Sequence, residues 1–196
     1  MKPFRSALSS LARFAWQART LLLAGLALGF CIPLARASAP SPTPAPEERA
    51  VIPAAASAIV GDWMVASKDA IIRIGRVGDT FEGHIAWQLH DTYGPEDGPE
   101  LNGRIVTDRH NPDPALRERP LTGLRLVWGL RYDAGSGEWL DGQVYDSDNG
   151  KTYHCQVRLI DADHLSLRGY IGISLLGGST TWSRSQVPAA ASSSAP

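Results

Sequence analysis

Along much of this chain apolar and polar residues exchange places at every second position. Phe81, Gly83, Ile85, Trp87 and Leu89 alternate with Glu82, His84, Ala86 and Gln88. Leu124, Leu126, Trp128, Leu130 and Tyr132 alternate with Arg125, Val127, Gly129 and Arg131, and Leu165, Leu167, Gly169 and Ile171 with Ser166, Arg168 and Tyr170. A period of two belongs to extended chain, whose successive side chains point to opposite faces. One apolar face and one wet face mark an antiparallel strand buried on one side. The pattern predicts eight strands, near 61–67, 70–76, 80–89, 122–132, 137–145, 151–160, 163–172 and 178–184. Turn residues punctuate them: Lys68-Asp69, Gly78-Asp79, Gly135-Ser136-Gly137, Asn149-Gly150 and Gly177-Gly178. Asn149-Gly150 reads as a type I′ hairpin turn. Eight hairpin-linked strands in succession fit an all-β, eight-stranded antiparallel up-and-down barrel, which removes exposed edges; a sandwich is the alternative.

The inward set expected from this alternation is Trp63, Ile72, Ile74, Phe81, Trp87, Leu124, Leu126, Trp128 and Leu167. It is bulky. An eight-stranded barrel is just wide enough to be filled by its own side chains or to admit one small ligand, and this set favours a filled or narrow interior. Trp139 and Tyr170 are read as outward. One stretch breaks the rhythm: His90 to Pro120 is rich in Gly, Pro and charge, and a loop of this length in a compact domain is usually functional or disordered. Within it Asp113-Pro114-Ala115-Leu116-Arg117 has the form of a helix start of one or two turns, with Asp as cap and Pro at the first helical position.

The two ends of the chain do not share this pattern. Lys2, Arg5, Arg13 and Arg19 precede an apolar run from Leu21 to Leu34 and the small-residue pattern Ala35-Arg36-Ala37. This is the layout of a secretory signal peptide over 1–37, with an uncleaved anchor as the alternative. Its apolar run is short for a membrane span, which needs about 20 residues. Residues 38–57 form an Ala/Pro/Ser-rich linker and 186–196 a similar tail, both too poor in apolar surface to offset the entropy of ordering. One domain over 58–185 remains, and the expected location is periplasmic or secreted.

Export changes the charge. The leader removes five basic residues and no acids, which leaves fourteen basic against twenty acidic side chains and a net charge of −6. Nucleic acid needs a positive footprint and is excluded as a partner, as is a polybasic membrane surface. Cys31 leaves with the leader, so Cys155 has no intrachain partner and reads as a small buried apolar residue rather than a reactive thiol.

Several short motifs stand in order along the domain: Gly61-x-Trp63, Asn111-Pro112-Asp113-Pro114-Ala115-Leu116-Arg117-x-Arg119-Pro120-Leu121-x-Gly123, Tyr145-Asp146, Gly150-Lys151-Thr152-Tyr153, Arg168-Gly169-Tyr170-Ile171-Gly172 and Thr181-Trp182-x-Arg184. Together they resemble the DUF2147 family over about Ile59 to Ser185. The resemblance implies an exported bacterial protein with a lipocalin-like barrel, in a family whose biochemical function is not established. A Gly-x-Trp on the first strand and an Arg on the last is a signature of such barrels. There the guanidinium of Arg184 would lie over the indole of Trp63 and seal one end, worth roughly 0.5–2 kcal/mol. The chain departs from the family in one place: cysteines that often flank the second hairpin are replaced by Val77 and Glu82.

Candidate binding chemistry gathers in two groups. Arg117 and Arg119 offer forked donors for a carboxylate or phosphate, with Asn111 and Asp113 adding polar specificity. The competing reading pairs these arginines with Asp108, Asp113 or Glu118 and makes the segment a lid across one barrel end. Tyr145, Lys151, Tyr153, Arg168 and Tyr170 form the second group, in which a tyrosine suits a pocket wall but Tyr153 shares parity with Val157 and Leu159. The histidines are scattered without ligand spacing, and Asp146-Ser147-Asp148-Asn149-Gly150 has its glycine one place too early for a calcium loop, so no metal or other cofactor is expected. No nucleophile elbow or converging acid pair appears, so no catalytic residue is assigned. Two readings follow: a binding protein that takes a small, partly apolar ligand at the barrel mouth, or a non-catalytic envelope interaction module with a filled barrel.

Overall fold

The computed structural model describes residues 54–173 and 175–188. The leader over 1–37, most of the linker and the tail beyond 188 lie outside the described residues. Eight strands follow in chain order: β1 Gly61–Met64, β2 Ala70–Val77, β3 Thr80–Gln88, β4 Arg125–Asp133, β5 Glu138–Asp146, β6 Lys151–Leu159, β7 His164–Tyr170 and β8 Gly177–Ser185. Each pairs antiparallel with the next and β8 returns to β1, so the sheet closes into an up-and-down barrel. β1 stops at Met64, short of the expected 67. The chain then turns on Lys68, whose φ of 63 departs from extended geometry.

One end of the barrel is sealed as the terminal strands suggest. Trp63 and Arg184 are directly opposite each other in the β1–β8 register, and the guanidinium carbon stands 4.2 Å from the indole centroid. Arg184 also donates to the carbonyls of Ala58, Val60 and Ala162 at 3.0, 3.2 and 2.9 Å. Gly61 explains its own place in the motif. Its φ is +136, and a Cβ there would lie 2.9 Å from Arg184 Nη1. Any side chain would displace the cap.

A 3-10 segment, Ala54–Ile59, plugs this same end. Ala54 to Ser57, assigned to the linker on composition, therefore belong to the domain. Ala56 and Ile59 are wholly buried, and their carbonyls accept from Trp139 Nε1 at 3.1 Å and Trp63 Nε1 at 2.8 Å. Trp139 is thus an inward residue, not an outward one. Asp141, at φ 61, interrupts the alternation of β5, and the β5–β6 register shifts between Trp139 and Gly142. Parity counted from the far end of the strand fails across such a bulge. The same device in β4 corrects the reading of Trp128. The β3–β4 register slips so that Val127 faces Gly83 and Leu130 faces Phe81, both turned inward, while Trp128 pairs with exposed Gln143. Trp87 is only half-buried. The rest of the expected inward set is buried as read.

The interior is occupied by side chains. Trp63, Trp139, Trp182, Phe81, Ile72, Ile74, Leu130 and Leu165 are fully buried, with the Phe81 ring edge-on to Trp139 at 6.4 Å. Two glycines show how tightly. A Cβ on Gly83 would stand 2.9 Å from Ile72 Cγ2, and one on Gly142 would meet Leu130 and, at 2.8 Å, Cys155 Sγ. Within this interior Thr180 Oγ1 and Trp182 Nε1 have no hydrogen-bond partner among the described residues, at a cost of about 1–3 kcal/mol each. The β2–β3 hairpin, which lacks the family's cysteines, closes through Arg76 Nε to Gly78 O at 2.7 Å and Thr80 Oγ1 to Val77 O at 3.0 Å.

At the opposite end lies the long segment between β3 and β4. Its apolar residues Tyr93, Val106 and Leu121 are buried and join the barrel core. Its backbone is organised by local pairing, with Thr92 bridged to Ile105 and Thr107 to Pro120. The expected helix start is a single 3-10 turn, Pro114–Leu116, with Asp113 Oδ1 accepting from Ala115 N at 3.0 Å as its cap.

Candidate functional site

The polar residues of the long loop converge on a carboxylate. Asp108 is completely buried. Its Oδ2 accepts from Asn111 Nδ2 at 2.7 Å and from Arg119 Nε and Nη2 at 3.0 and 2.8 Å. Its Oδ1 accepts from the Tyr145 hydroxyl at 2.6 Å, and that oxygen in turn accepts from Asn111 Nδ2 at 3.2 Å. A buried carboxylate is tolerated only when paired and hydrogen-bonded, and this one has four donor contacts.

Parity locates the cluster. Val144 of β5 points inward and is fully buried, so Tyr145 faces the outer wall beside exposed Gln143. The loop therefore bends over the barrel rim and fastens to the outside of β5. Its close approach requires Gly150, where a Cβ would collide with the His110 carbonyl oxygen. Burial, followed by the charge and hydrogen bond of Asp108, raises the Tyr145 pKa far above the ordinary phenol value. The hydroxyl remains a donor and does not serve as a base.

Beside this cluster lies a pocket of about 260 Å³ lined by Asn111, Pro112, Arg119, Leu124, Arg125, Trp128, Tyr145, Gly150 and Thr152. Arg125 reaches it from β4 with its guanidinium carbon 5.2 Å from the Trp128 ring centroid and Nη1 bonded to Glu82 at 3.0 Å. Both guanidinium groups are already paired, Arg119 with Asp108 and Arg125 with Glu82, and their remaining N–H donors, the Trp128 ring and the Thr152 hydroxyl make up the polar and aromatic part of the lining.

Of the eight candidate residues, the structure brings Asn111, Arg119 and Tyr145 together. Asp113 caps the 3-10 turn and its N–H is held by Asn111 Oδ1 at 2.9 Å, while Arg117 Nε donates to the Asn111 carbonyl at 2.8 Å. Both shape the loop rather than line the pocket. The remaining three stand elsewhere. Tyr153 accepts from Asn149 Nδ2 at 3.1 Å at the β5–β6 turn, Arg168 donates to Ser179 Oγ at 3.3 Å, and Tyr170 stacks on His154 at 5.7 Å. The expected second constellation is not one site.

The turn at Asn149-Gly150 is also different from type I′, since Gly150 has a positive φ of 69 and Asn149 does not. The Asp146 carboxylate organises it, accepting from Asp148 N at 2.9 Å and Asn149 Nδ2 at 2.8 Å. Burial nevertheless raises the Asp146 pKa to about 6. Burial likewise pushes the Cys155 thiol up to about 12, which makes it inert at neutral pH. Asp108, Arg125 and Trp128 are the residues that sequence reasoning missed as site members. Asp108 is one acid among several in the loop, and the β4 bulge hides the outward turn of Trp128.

The family model described as "Uncharacterized protein conserved in bacteria (DUF2147)" matches residues 61–184. A solved Helicobacter pylori structure, protein HP1028, described as belonging to the lipocalin family, superposes with a TM-score of 0.52 at 20% identity. The superposition covers 65% of this chain and 83% of that one. At that identity the likeness speaks for the fold alone. No curated protein matches the chain.

Proposed function

The chain belongs to the DUF2147 family, and from that premise we propose that it is an exported, non-catalytic module of the cell envelope that acts through its outer surface. Packing supports this reading. The interior is filled to the point where Gly142 has no room for a methyl group, a 3-10 segment plugs one end and loop residues cover part of the other. The barrel is then a scaffold, and the loop and rim are its working parts. Native mass spectrometry of gently purified protein tests it. The expected spectrum shows the bare chain, and a stoichiometric adduct that survives desalting overturns the reading.

A second reading is favoured by the outer-wall pocket. Drug-sized ligands occupy roughly 300–1,000 Å³, so a site of about 260 Å³ suits a smaller molecule. A carboxylate carried on a ring, held between Arg119 and Arg125 over Trp128, fits its chemistry. Titration with benzoate, followed by Trp128 fluorescence in wild type and Arg125→Ala, discriminates: a saturable change lost in the variant supports the pocket.

A further inference from the structure

The tip that joins β7 to β8 carries four large aliphatic residues in the open. Ile171, Ile173, Leu175 and Leu176 are 66%, 60%, 82% and 67% exposed. No acidic or basic residue occurs from Gly169 to Ser183. Yet the tip is built, with Ile171 N donating to the Leu176 carbonyl at 3.1 Å and Leu176 N to the Ile173 carbonyl at 3.0 Å. Two of its backbone N–H groups are thus bonded within the tip, while its four aliphatic side chains stay exposed.

The register places this tip at the end opposite the Trp63–Arg184 seal, on the rim shared with the β1–β2 turn and the β5–β6 turn. Exposed Lys68 stands in the first of these and exposed Lys151 at the start of β6, so cations flank the apolar tip on both neighbouring strands. Arg168 lies at its base with Tyr170, which stacks on His154. The acids at this end are Asp69, bonded to the Ser67 hydroxyl at 2.6 Å, Asp146 and Asp148 beside the β5–β6 turn, and exposed Asp91, Glu96, Glu100, Asp113 and Glu118 of the β3–β4 loop, whose flanking strands lie across the ring from β7 and β8.

We propose that the β7–β8 tip inserts into the surface of a lipid bilayer containing anionic lipid, with Lys68, Lys151 and Arg168 at the headgroup level. This rests on the reading that the protein acts through its outer surface, and it names the partner. A convex, uncharged wedge matches a medium that closes around it. Entry into hydrocarbon demands a backbone whose polar groups are already paired, and the tip hydrogen bonds meet part of that demand. Tyrosine and basic side chains at the collar are the residues that sit well at the interface between acyl chains and headgroups. Anionic lipid attracts the flanking cations within a Debye length. Insertion of one tip is not a span, and it does not need the polybasic surface that the overall charge excludes.

Vesicle flotation tests this with the chain beginning at Ser38, which keeps every described residue. The probes are vesicles of phosphatidylcholine alone and vesicles with one-third phosphatidylglycerol. Wild type is expected to float with the anionic vesicles, and Leu175→Asp/Leu176→Asp to lose at least tenfold in the floated fraction while circular dichroism and thermal unfolding stay unchanged. Lys68→Glu/Lys151→Glu is expected to lower flotation with anionic vesicles only. Wild type left at the bottom of the gradient with both compositions, or a double-Asp variant that floats equally, overturns the proposal. If wild type instead sizes as a dimer that the double-Asp variant dissolves, the occupant is a second copy and the lipid reading fails while the surface-acting reading stands. Failure of that broader reading shows separately, as a retained adduct in the native mass spectrum.

Discussion

Gly142→Ala asks most directly whether the barrel has room to spare. The position lies on β5, paired with Cys155 of β6 and pointing inward. Its φ is not in the left-handed region, so alanine carries no backbone penalty there. The whole effect comes from space: the new methyl would press on Leu130 and approach Cys155 Sγ at 2.8 Å. Both neighbours are fully buried and cannot swing into solvent. Overpacking of this kind costs roughly 1–3 kcal/mol. Urea unfolding should show that loss as a lower midpoint with an unchanged slope. Leu130→Val withdraws part of the obstructing side chain. The double variant should therefore be more stable than the sum of the two single losses predicts, with a coupling of about 0.5–2 kcal/mol. A Gly142→Ala protein as stable as wild type would refute the reasoning, because it would mean an unfilled interior and would return the barrel mouth to consideration as a ligand site.

Two further predictions concern buried carboxylates. Asp146 has its pKa raised from 3.8 to about 6 in the fold, so the native state holds a proton that the unfolded chain releases, and stability is lost as pH rises from about 4 through 6. Wild type should lose on the order of 2–3 kcal/mol across that window relative to Asp146→Asn, measured by urea unfolding at each pH; parallel profiles would refute the assignment. Asp108→Ala leaves Arg119 and Tyr145 without their shared acceptor and should cost about 3–5 kcal/mol. The loss should appear as faster hydrogen exchange across the β3–β4 loop.

Strand count, order and closure were legible because each strand has one buried face and the turns are chemically marked. The Trp63–Arg184 seal was legible because it belongs to a short motif. What could not be read was phase. A single extra residue at Asp141, or the slip between Phe81 and Gly83 against β4, reverses the facing of everything beyond it. Only the opposing strand reveals that slip. Trp139 and Trp128 exchanged faces for this reason. In the site, Asn111, Arg119 and Tyr145 were legible by residue type. Asp108 was not, because burial singles it out from Asp91, Asp97 and Asp113 of the same loop, and burial depends on where the loop lands. Tyr153, Arg168 and Tyr170 were grouped by side-chain chemistry, although the alternation already divided them: Tyr153 shares parity with Val157, and Arg168 and Tyr170 take the opposite parity from Leu165 and Leu167.

The packing also bears on where function can reside. Leaving about 300 Å³ empty for a ligand, at roughly 24 cal/mol per Å³ of cavity, would cost on the order of 7 kcal/mol. That is comparable to the whole stability of a typical domain, about 5–15 kcal/mol. A ligand entering this interior would have to offset that expansion before any net affinity appeared, and the indoles of Trp63, Trp139 and Trp182 are already buried in the space it would take. The outer features carry no such cost. The pocket between Arg119, Arg125 and Trp128 is already open, and the aliphatic tip at Ile171 to Leu176 is already exposed to solvent, so covering either one gains free energy without disturbing the core. Selection for binding therefore acts most cheaply on the rim and the wall, and the filled barrel holds both in place.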